Sequence, residues 1–548
     1  MRFEIDHDWQ GNLSTPRARI GTAAKTRLLI VLCAIWICLG LIGHEPWKPN
    51  EANNISIIKN MLAGEHFFEP LAVGDSAIKN PPLYYLSAAF FAKILSPMLN
   101  THDAARIASG FWMALTLLIS GMIGRELWGE GFGRQSTFIL LSSIGLIVTA
   151  HLLMPEVSAL TGSAMAFYGL ALAKRRPFRA SALLGAGIGI SFLSTGLLTA
   201  SISLISALTL PIFFKAWRSK SYAIVLGLAA FIASPWLALW PVAVWHLAPE
   251  HLSAWWQTQI SYKQINHLYF LRTLSWFAWP ALPIAAWGVW RFRTALFFKP
   301  RFQLITTYFL VAFVLIGFQA KNTDVSALTL LIPLVAMAGG SAETLKRGAS
   351  GALNWFGLIL FGLMGILIWL GWFAIMTGYP TKLSARMHIL SGLTEAHINI
   401  AALTVALLTT TIWVITINAK RSNRAAVTDW AVGVTMAWSL LMTLWLPMID
   451  SAKSYKLVML SVQQALPKKF NCINSQHVGK PQQALFNYYT DLSLVPVKAT
   501  QKLSCDLYLV QVDRNHQAIK LGEEWSVIWE GKRPADKKEH FTLYQKHR

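Results

Sequence analysis

The chain has 548 residues, of which 54% are hydrophobic and only 14% charged, with a mean hydropathy of +0.44. This balance excludes an ordinary soluble protein and reads as a polytopic α-helical membrane protein. The formal charge of +22 invites a nucleic-acid partner, but its placement argues against one, because the basic residues cluster in short loops between apolar runs.

The polar, basic head Met1–Thr26 carries no small-residue cleavage site, so the first span reads as a retained helix and not a signal peptide. Apolar runs long enough to cross a bilayer follow near 27–43, 107–127, 136–153, 157–173, 180–197, 199–214, 222–245, 273–290, 302–319, 324–340, 352–377, 398–418 and 429–447, about thirteen spans. The basic clusters are Lys174-Arg175-Arg176 with Arg179; Lys215, Arg218 and Lys220; Arg291, Arg293, Lys299 and Arg301; Lys346-Arg347; and Lys420-Arg421 with Arg424. With the N-terminus in the cytoplasm and alternating spans, all of them fall on the cytoplasmic side, as the positive-inside pattern requires, where they also meet anionic lipid headgroups. An odd number of spans then puts the tail outside. The outer features are the 44–106 loop, the turn at Pro155-Glu156, the loop His246–Arg272, the turn Lys321–Asp324, the loop Tyr379–His397 and the tail.

The stretch His44–Pro82 is unusually polar for a loop beside a membrane. Within the 44–106 loop, Glu51–Ala63 has the helical spacing of Ile55, Ile58 and Leu62, and Pro81–Ser96 is apolar but short. Both suit helices lying in the interface. Trp255, Trp256, Trp276 and Trp279 flank a later outer loop as an aromatic belt would. Residues 1–449 therefore read as a transmembrane domain and 450–548 as a small soluble α/β domain. The latter has helical segments near 455–466 and 481–489 and strands at Leu507–Val512, Ser526–Trp529 and Phe541–Tyr544. Cys472 and Cys505 form a plausible disulfide in an oxidising compartment; two buried free thiols are the alternative. No metal-ligand spacing or Walker loop appears, and the glycine-rich Gly129–Gly133 follows a membrane helix and no strand, so it is discounted as a dinucleotide site.

Three carboxylates, Glu45, Glu51 and Glu156, lie on the outer face. A carboxylate held beside an acceptor hydroxyl is a candidate general base. The cations Lys48, Lys79, Arg106, Lys263, Arg272 and Lys321 share that face and suit a lipid phosphate. Tyr84 and Tyr85 stand beside them, as substrate-facing groups or as belt aromatics. The simpler reading of each charge is a solvated loop residue, and Glu51 also suits a helix start.

The run Trp47-Lys48-Pro49-Asn50-Glu51, then Asn80-Pro81-Pro82-Leu83-Tyr84-Tyr85, resembles the first periplasmic loop of the aminoarabinose transferases that modify lipid A, which belong with the protein O-mannosyltransferases among polyprenyl-phosphate-dependent membrane glycosyltransferases. Leu153-Met154-Pro155-Glu156, Leu193-Ser194-Thr195-Gly196, Lys321-Asn322-Thr323-Asp324 with Leu331-Ile332-Pro333, Ala484–Tyr489 and Trp529–Asp536 resemble further motifs of that family. The resemblance implies a GT-C-like fold and an inner-membrane enzyme with a periplasmic C-terminal domain. It implies an undecaprenyl-phosphate sugar donor, lipid A or another envelope glycan as acceptor, no required cofactor and a monomer. It places Glu51, Glu156 and Asn50 in the catalytic group. Lys48, Lys79, Asn80, Tyr84, Tyr85, Lys263 and Arg272 fall in the substrate-binding group. Departures accompany the likeness: Asn50 stands where the family has aspartate, Lys79-Asn80 where it has Glu-Lys, and Thr195 where it has lysine. A non-catalytic lipid-phosphate binding or translocating protein on the same scaffold is the rival reading.

Overall fold

The computed structural model describes residues 22–547 apart from 76, 262–266, 320–322, 394–396, 418–422, 498–503, 513–520, 535 and 537–538. Lys263 and Lys321, two of the expected phosphate-facing cations, lie outside the described residues.

A chain in hydrocarbon must satisfy its peptide groups within each segment, so its apolar runs become helices. The first is α1 (Thr22–Cys38); α2 (Asn50–Leu62) and α3 (Leu83–Leu95) fill the long first loop; α4 (Thr101–Trp128) returns through the core. The chain continues through α5 (Phe132–Leu141), α6 (Ile144–Thr149), α7 (Pro155–Leu172), α8 (Pro177–Thr195), α9 (Leu197–Phe213), α10 (Lys220–Leu247) and α11 (Pro249–Ile260). After these come α12 (His267–Phe277), α13 (Ala281–Arg291), α14 (Pro300–Gln319), α15 (Leu328–Ser341), α16 (Arg347–Thr377), α17 (Thr381–Ser391), α18 (Ile400–Ile417) and α19 (Asn423–Thr443). Among the described residues, 8 helical segments are long and apolar enough to cross a membrane, and α1, α3 and α9 are shorter apolar ones.

Two of the expected spans are broken. The run 136–153 splits into α5 and α6 at Ser142-Ser143, whose hydroxyls donate back to the Ile139 carbonyl at 3.1 and 2.9 Å. The run 273–290 splits into α12 and α13 before Pro280, which has no N–H to continue a helix. The two breaks meet: the Ile144 N–H donates to the Trp279 carbonyl at 3.2 Å. Gly145 lies so close to the Phe277 ring that a Cβ there would sit 2.1 Å from it. One belt expectation is corrected. Trp255 is fully buried, edge-on to Trp240 at 4.9 Å between ring centroids, because α10 and α11 fold against each other and enclose it.

Beyond α20 (Leu446–Lys453) lies a separate layer. Here α21 (Lys456–Ala465) and α22 (Lys480–Thr490) pack with a five-stranded sheet made of β1 (Ile473–Gln476), β2 (Leu494–Pro496), β3 (Leu507–Val512), β4 (Trp525–Gly531) and β5 (His540–Lys546), in the order β2-β1-β3-β5-β4. The strand β1 runs parallel to β2 and β3, and β5 runs antiparallel to β3 and β4. Cys472 and Cys505 are disulfide-bonded across a sequence separation of 33 residues, at the start of β1 and just before β3. Helix α2 serves both layers. Ile55, Ile58 and Met61 belong to the membrane-side core, while Ala52 packs with Tyr455, Val458 and Phe486 of the outer layer.

Candidate active site at the outer face

The first loop is held by a buried ionic knot. Arg106, on α4, is fully buried. Its Nε donates to Glu51 Oε1 at 2.8 Å, and its Nη1 donates to Asp103 Oδ1 at 2.8 Å and to the His44 carbonyl at 2.7 Å. Glu51, equally buried, also accepts from the backbone N–H groups of Trp47 at 3.0 Å and Leu153 at 3.1 Å. Burial alone would raise its pKa. The adjacent guanidinium and these hydrogen bonds outweigh burial and hold the carboxyl below the usual range. Every lone pair direction of Glu51 is thus directed at protein, and the carboxylate ties α2 to α4 and to the approach to α7.

A second set of contacts joins the loop to the outer layer. Glu45 accepts from Lys456 Nζ at 2.7 Å and from the Tyr489 hydroxyl at 2.9 Å. Asp450 accepts from the Glu45 N–H and the Trp47 indole, both at 2.9 Å. Lys48 pairs with Glu539, which also takes the Tyr455 hydroxyl. Lys59 pairs with Asp491 at 2.5 Å. Asp75 receives both Lys79 at 2.6 Å and Lys480 at 2.7 Å. Lys48 and Lys79, expected to face a lipid phosphate, are therefore each engaged by a carboxylate. Lys79 remains half exposed and Lys48 is partly exposed.

Glu156, Tyr85 and Asn80 gather at the turn that follows Leu153, which Glu51 holds. Pro155 takes the first helical position of α7, after an extended Met154, which sets Glu156 in the first turn. An anion is favoured there by the helix dipole. The Glu156 side chain is partly exposed; burial raises its carboxyl above the usual range, and among the described residues the carboxylate meets only its own backbone N–H, which offsets part of that rise. Beside it stands the Tyr85 hydroxyl, close enough for Glu156 and Asp75 to add to the burial that raises the phenol's pKa above its usual range. Tyr85 donates to Asn54 Oδ1 at 3.0 Å, and Asn54 donates to the Leu153 carbonyl at 2.6 Å. Asn80, partly exposed, reaches the Tyr85 oxygen at 3.5 Å. Tyr84 is buried and accepts from the Met154 N–H at 3.0 Å, with Ser109 at 2.6 Å. Both tyrosines are thus buried supports for the Pro155 turn and not belt aromatics, because their hydroxyls have polar partners that lipid could not supply.

The remaining expected residues divide. Asn50 is exposed at the start of α2. Arg272, on α12, is exposed and its guanidinium has no partner among the described residues. Thr195, at the turn ending α8, bonds Thr199 at 2.7 Å. The residues that sequence reasoning missed are Asn54, which carries the Tyr85 hydroxyl to the Glu156 turn, and the outer-layer partners of the loop cations. The Asp103–Arg106 spacing of three on one helix was a signal for the knot. Among the described residues, no group of three or more His, Cys, Asp or Glu side chains is arranged to hold a metal ion.

The fold, not the site, has known counterparts. No protein-family model matches the chain. The undecaprenyl phosphate-alpha-4-amino-4-deoxy-L-arabinose arabinosyl transferase of Pseudomonas paraeruginosa strain PA7 is 24% identical over 355 residues, covering 61% of this chain and 63% of that protein. The enzyme of the same name from Serratia proteamaculans is 22% identical over 377 residues, 65% of this chain and 66% of that one. The matched stretch thus spans just under two thirds of these relatives' length. ArnT from Cupriavidus metallidurans, in a crystal structure bound to undecaprenyl phosphate, superposes with a TM-score of 0.66 over 95% of this chain and 98% of that one, at 15% identity. The chain has the ArnT fold. The apo structure of that Cupriavidus metallidurans protein superposes with a TM-score of 0.67 over 95% of this chain and 98% of that one, at 14% identity.

Proposed function

We propose that this chain is an inner-membrane glycosyltransferase that moves a sugar from undecaprenyl phosphate to lipid A or another envelope acceptor. Its basic turns face the cytoplasm, and α2, α3 and the sheet layer face the periplasm. The observation that carries the reading is Glu156: a carboxylate at a helix start, partly open, with no cation paired to it among the described residues, and near enough to Tyr85 to act on its phenol. The relatives named as arabinosyl transferases and the ArnT fold support the substrate class. In the reaction, an acceptor oxygen attacks the anomeric carbon, the bond from that carbon to the lipid phosphate oxygen breaks, and undecaprenyl phosphate leaves with its negative charge. Glu156 orients the acceptor and takes its proton where the acceptor is a hydroxyl; a phosphate acceptor is already ionised and needs only orientation. Arg272, exposed and without a partner among the described residues, is a cation available for the donor phosphate. Lys263 belongs to the same outer loop. Glu51 acts at one remove, by fixing Leu153 and hence the Pro155 turn.

The test is transfer in proteoliposomes containing undecaprenyl-phosphate aminoarabinose and lipid A, read by mass spectrometry of the lipid A. Glu156→Gln is expected to lower the rate roughly 10²-fold or more while leaving the folded protein intact. Full transfer by Glu156→Gln removes the assignment. Asn50, Asn80 and Thr195, at positions where the family carries charge, favour one rival: a lipid-phosphate binding protein without transfer. Intact undecaprenyl-phosphate binding with no transfer, in wild type and in Asn50→Asp alike, establishes that rival.

A further inference from the structure

Towards the end of the bundle that carries the Lys346-Arg347 turn, and far from Glu156 in the chain, α16, α18 and α19 frame a cavity of about 20 Å³ lined by Asn354, Trp413, Thr416, Asp429 and Trp430. A space of about 10–15 Å³ already admits one group of water's size. Thr416 donates to the Trp413 carbonyl at 2.7 Å and is satisfied. Asp429 and Asn354 have no hydrogen-bond or ion-pair partner among the described residues. The Trp430 indole N–H is buried and also unpartnered. An ionisable group placed this way in a membrane helix is costly unless something meets it.

The cavity does not stand alone. Trp413 also lines an apolar groove of about 540 Å³ between the same three helices, bounded by Gly362, Gly365, Trp369, Leu370 and Phe373. Along α16 the groove spans the eleven steps from Gly362 to Phe373, about 16 Å at 1.5 Å per residue. Its rim residues Leu370 and Phe373 are exposed, so it opens sideways to lipid. A carboxylate with an amide in a water-sized pocket, set beside a hydrocarbon groove across the shared Trp413, complements one amphiphile: a compact cationic head on an acyl chain.

We propose that this is a binding site for a single phospholipid bearing a primary ammonium, seated from the leaflet next to the basic turns. The ammonium donates to Asp429 and Asn354, and one acyl chain lies in the groove between α16 and α18. The pocket's size selects a primary ammonium over a trimethylammonium head, and the Asp429 charge selects against anionic heads. The site is separate from the transfer chemistry and does not rest on it.

The experiment uses the delipidated full-length chain in detergent, titrated with phosphatidylethanolamine, phosphatidylcholine or phosphatidylglycerol of identical acyl chains, with bound copies counted by native mass spectrometry. One phosphatidylethanolamine is expected to bind roughly tenfold more tightly than either competitor, as a charge-assisted bond would give. Asp429→Asn should bring phosphatidylethanolamine and phosphatidylcholine to parity. Gly365→Phe, which fills the groove where a Cβ already meets Met436 at 3.5 Å, should remove the tight copy altogether. Equal binding of the ethanolamine and choline lipids by the wild type, preference for phosphatidylglycerol, or undiminished selectivity in Asp429→Asn each overturns the proposal. If Asp429→Asn does not fold, wild-type selectivity and Gly365→Phe decide it.

Discussion

Replacing Arg106 with Met removes the cation at the centre of the first loop's ionic knot. The guanidinium has no exposure, and neither does Glu51. The substitution strands Glu51 with no counter-charge, and it deprives Asp103 Oδ1 and the His44 carbonyl of their 2.8 and 2.7 Å donors. Removing one partner of a buried pair costs about 3–5 kcal/mol. In a detergent melt followed by tryptophan fluorescence at a fixed scan rate, that corresponds to a drop of about 3–4 °C for a chain of this length. The fixed rate matters because a chain of this kind unfolds irreversibly. Adding Glu51→Gln in the same background removes the stranded charge and keeps an acceptor oxygen for one of the Trp47 and Leu153 N–H groups, which bond separate oxygens of Glu51. The double variant should therefore be more stable than Arg106→Met alone, by about 1–3 kcal/mol of coupling. If Arg106→Met melts with the wild type, or if the second substitution recovers nothing, the knot is not what holds the loop.

Two more outcomes follow from the contacts of the outer layer. Glu45 and Asp75 are both buried enough to have raised pKa values, yet Lys456, and Lys480 with Lys79, hold them below their ordinary 4.5 and 3.8. For a depressed carboxyl, the stability is present above the unfolded value and is lost as pH falls through the folded one. Hydrogen-exchange protection factors in α2 and α22, corrected for the intrinsic rate, should therefore fall as pH drops below about 4.5, and the pH dependence should flatten in Lys456→Met/Lys480→Met; an unchanged profile in that variant defeats the reasoning. Replacing Cys472 and Cys505 with Ser opens a loop of 33 residues and should cost about 3–4 kcal/mol. The loss should show as faster exchange in β1 and β3 while the membrane helices keep their protection; no change in the sheet refutes it.

Much of this fold is written in local pattern. The strand β3 at Leu507–Val512 lies where alternation and β-branched residues put it, and α21 and α22 lie where apolar spacing put them. The strand β1 escaped because Ile473-Asn474-Ser475-Gln476 has one apolar residue; it is a strand because neighbours on both sides pair with it. The breaks at Ser142-Ser143 and before Pro280 hide inside runs whose mean hydropathy is that of an unbroken span. The site was legible as a set of residue types but not as a set of roles. Glu51 carries the family-like motif, yet its partner Arg106 is 55 residues on. Lys48 reads as a free cation until Glu539, 491 residues away, closes on it. Charges pair across such distances without any periodicity to announce them, so sequence located the outer cluster and only the folded chain separates fastened carboxylates from the open one.

The double duty of α2 has a consequence for anyone who would treat the chain as two modules. One face of this thirteen-residue helix is finished by the membrane bundle and the other by the last hundred or so residues of the chain. Truncating before α21 would uncover Ala52 and release Glu45, Lys48, Lys59 and Asp75 at a stroke. The chain's two ends are in this sense a single keystone arch. A chimera that trades the outer layer for a relative's must trade the first loop with it, because the same helix that packs on that layer also holds Leu153, just before the turn that carries Glu156.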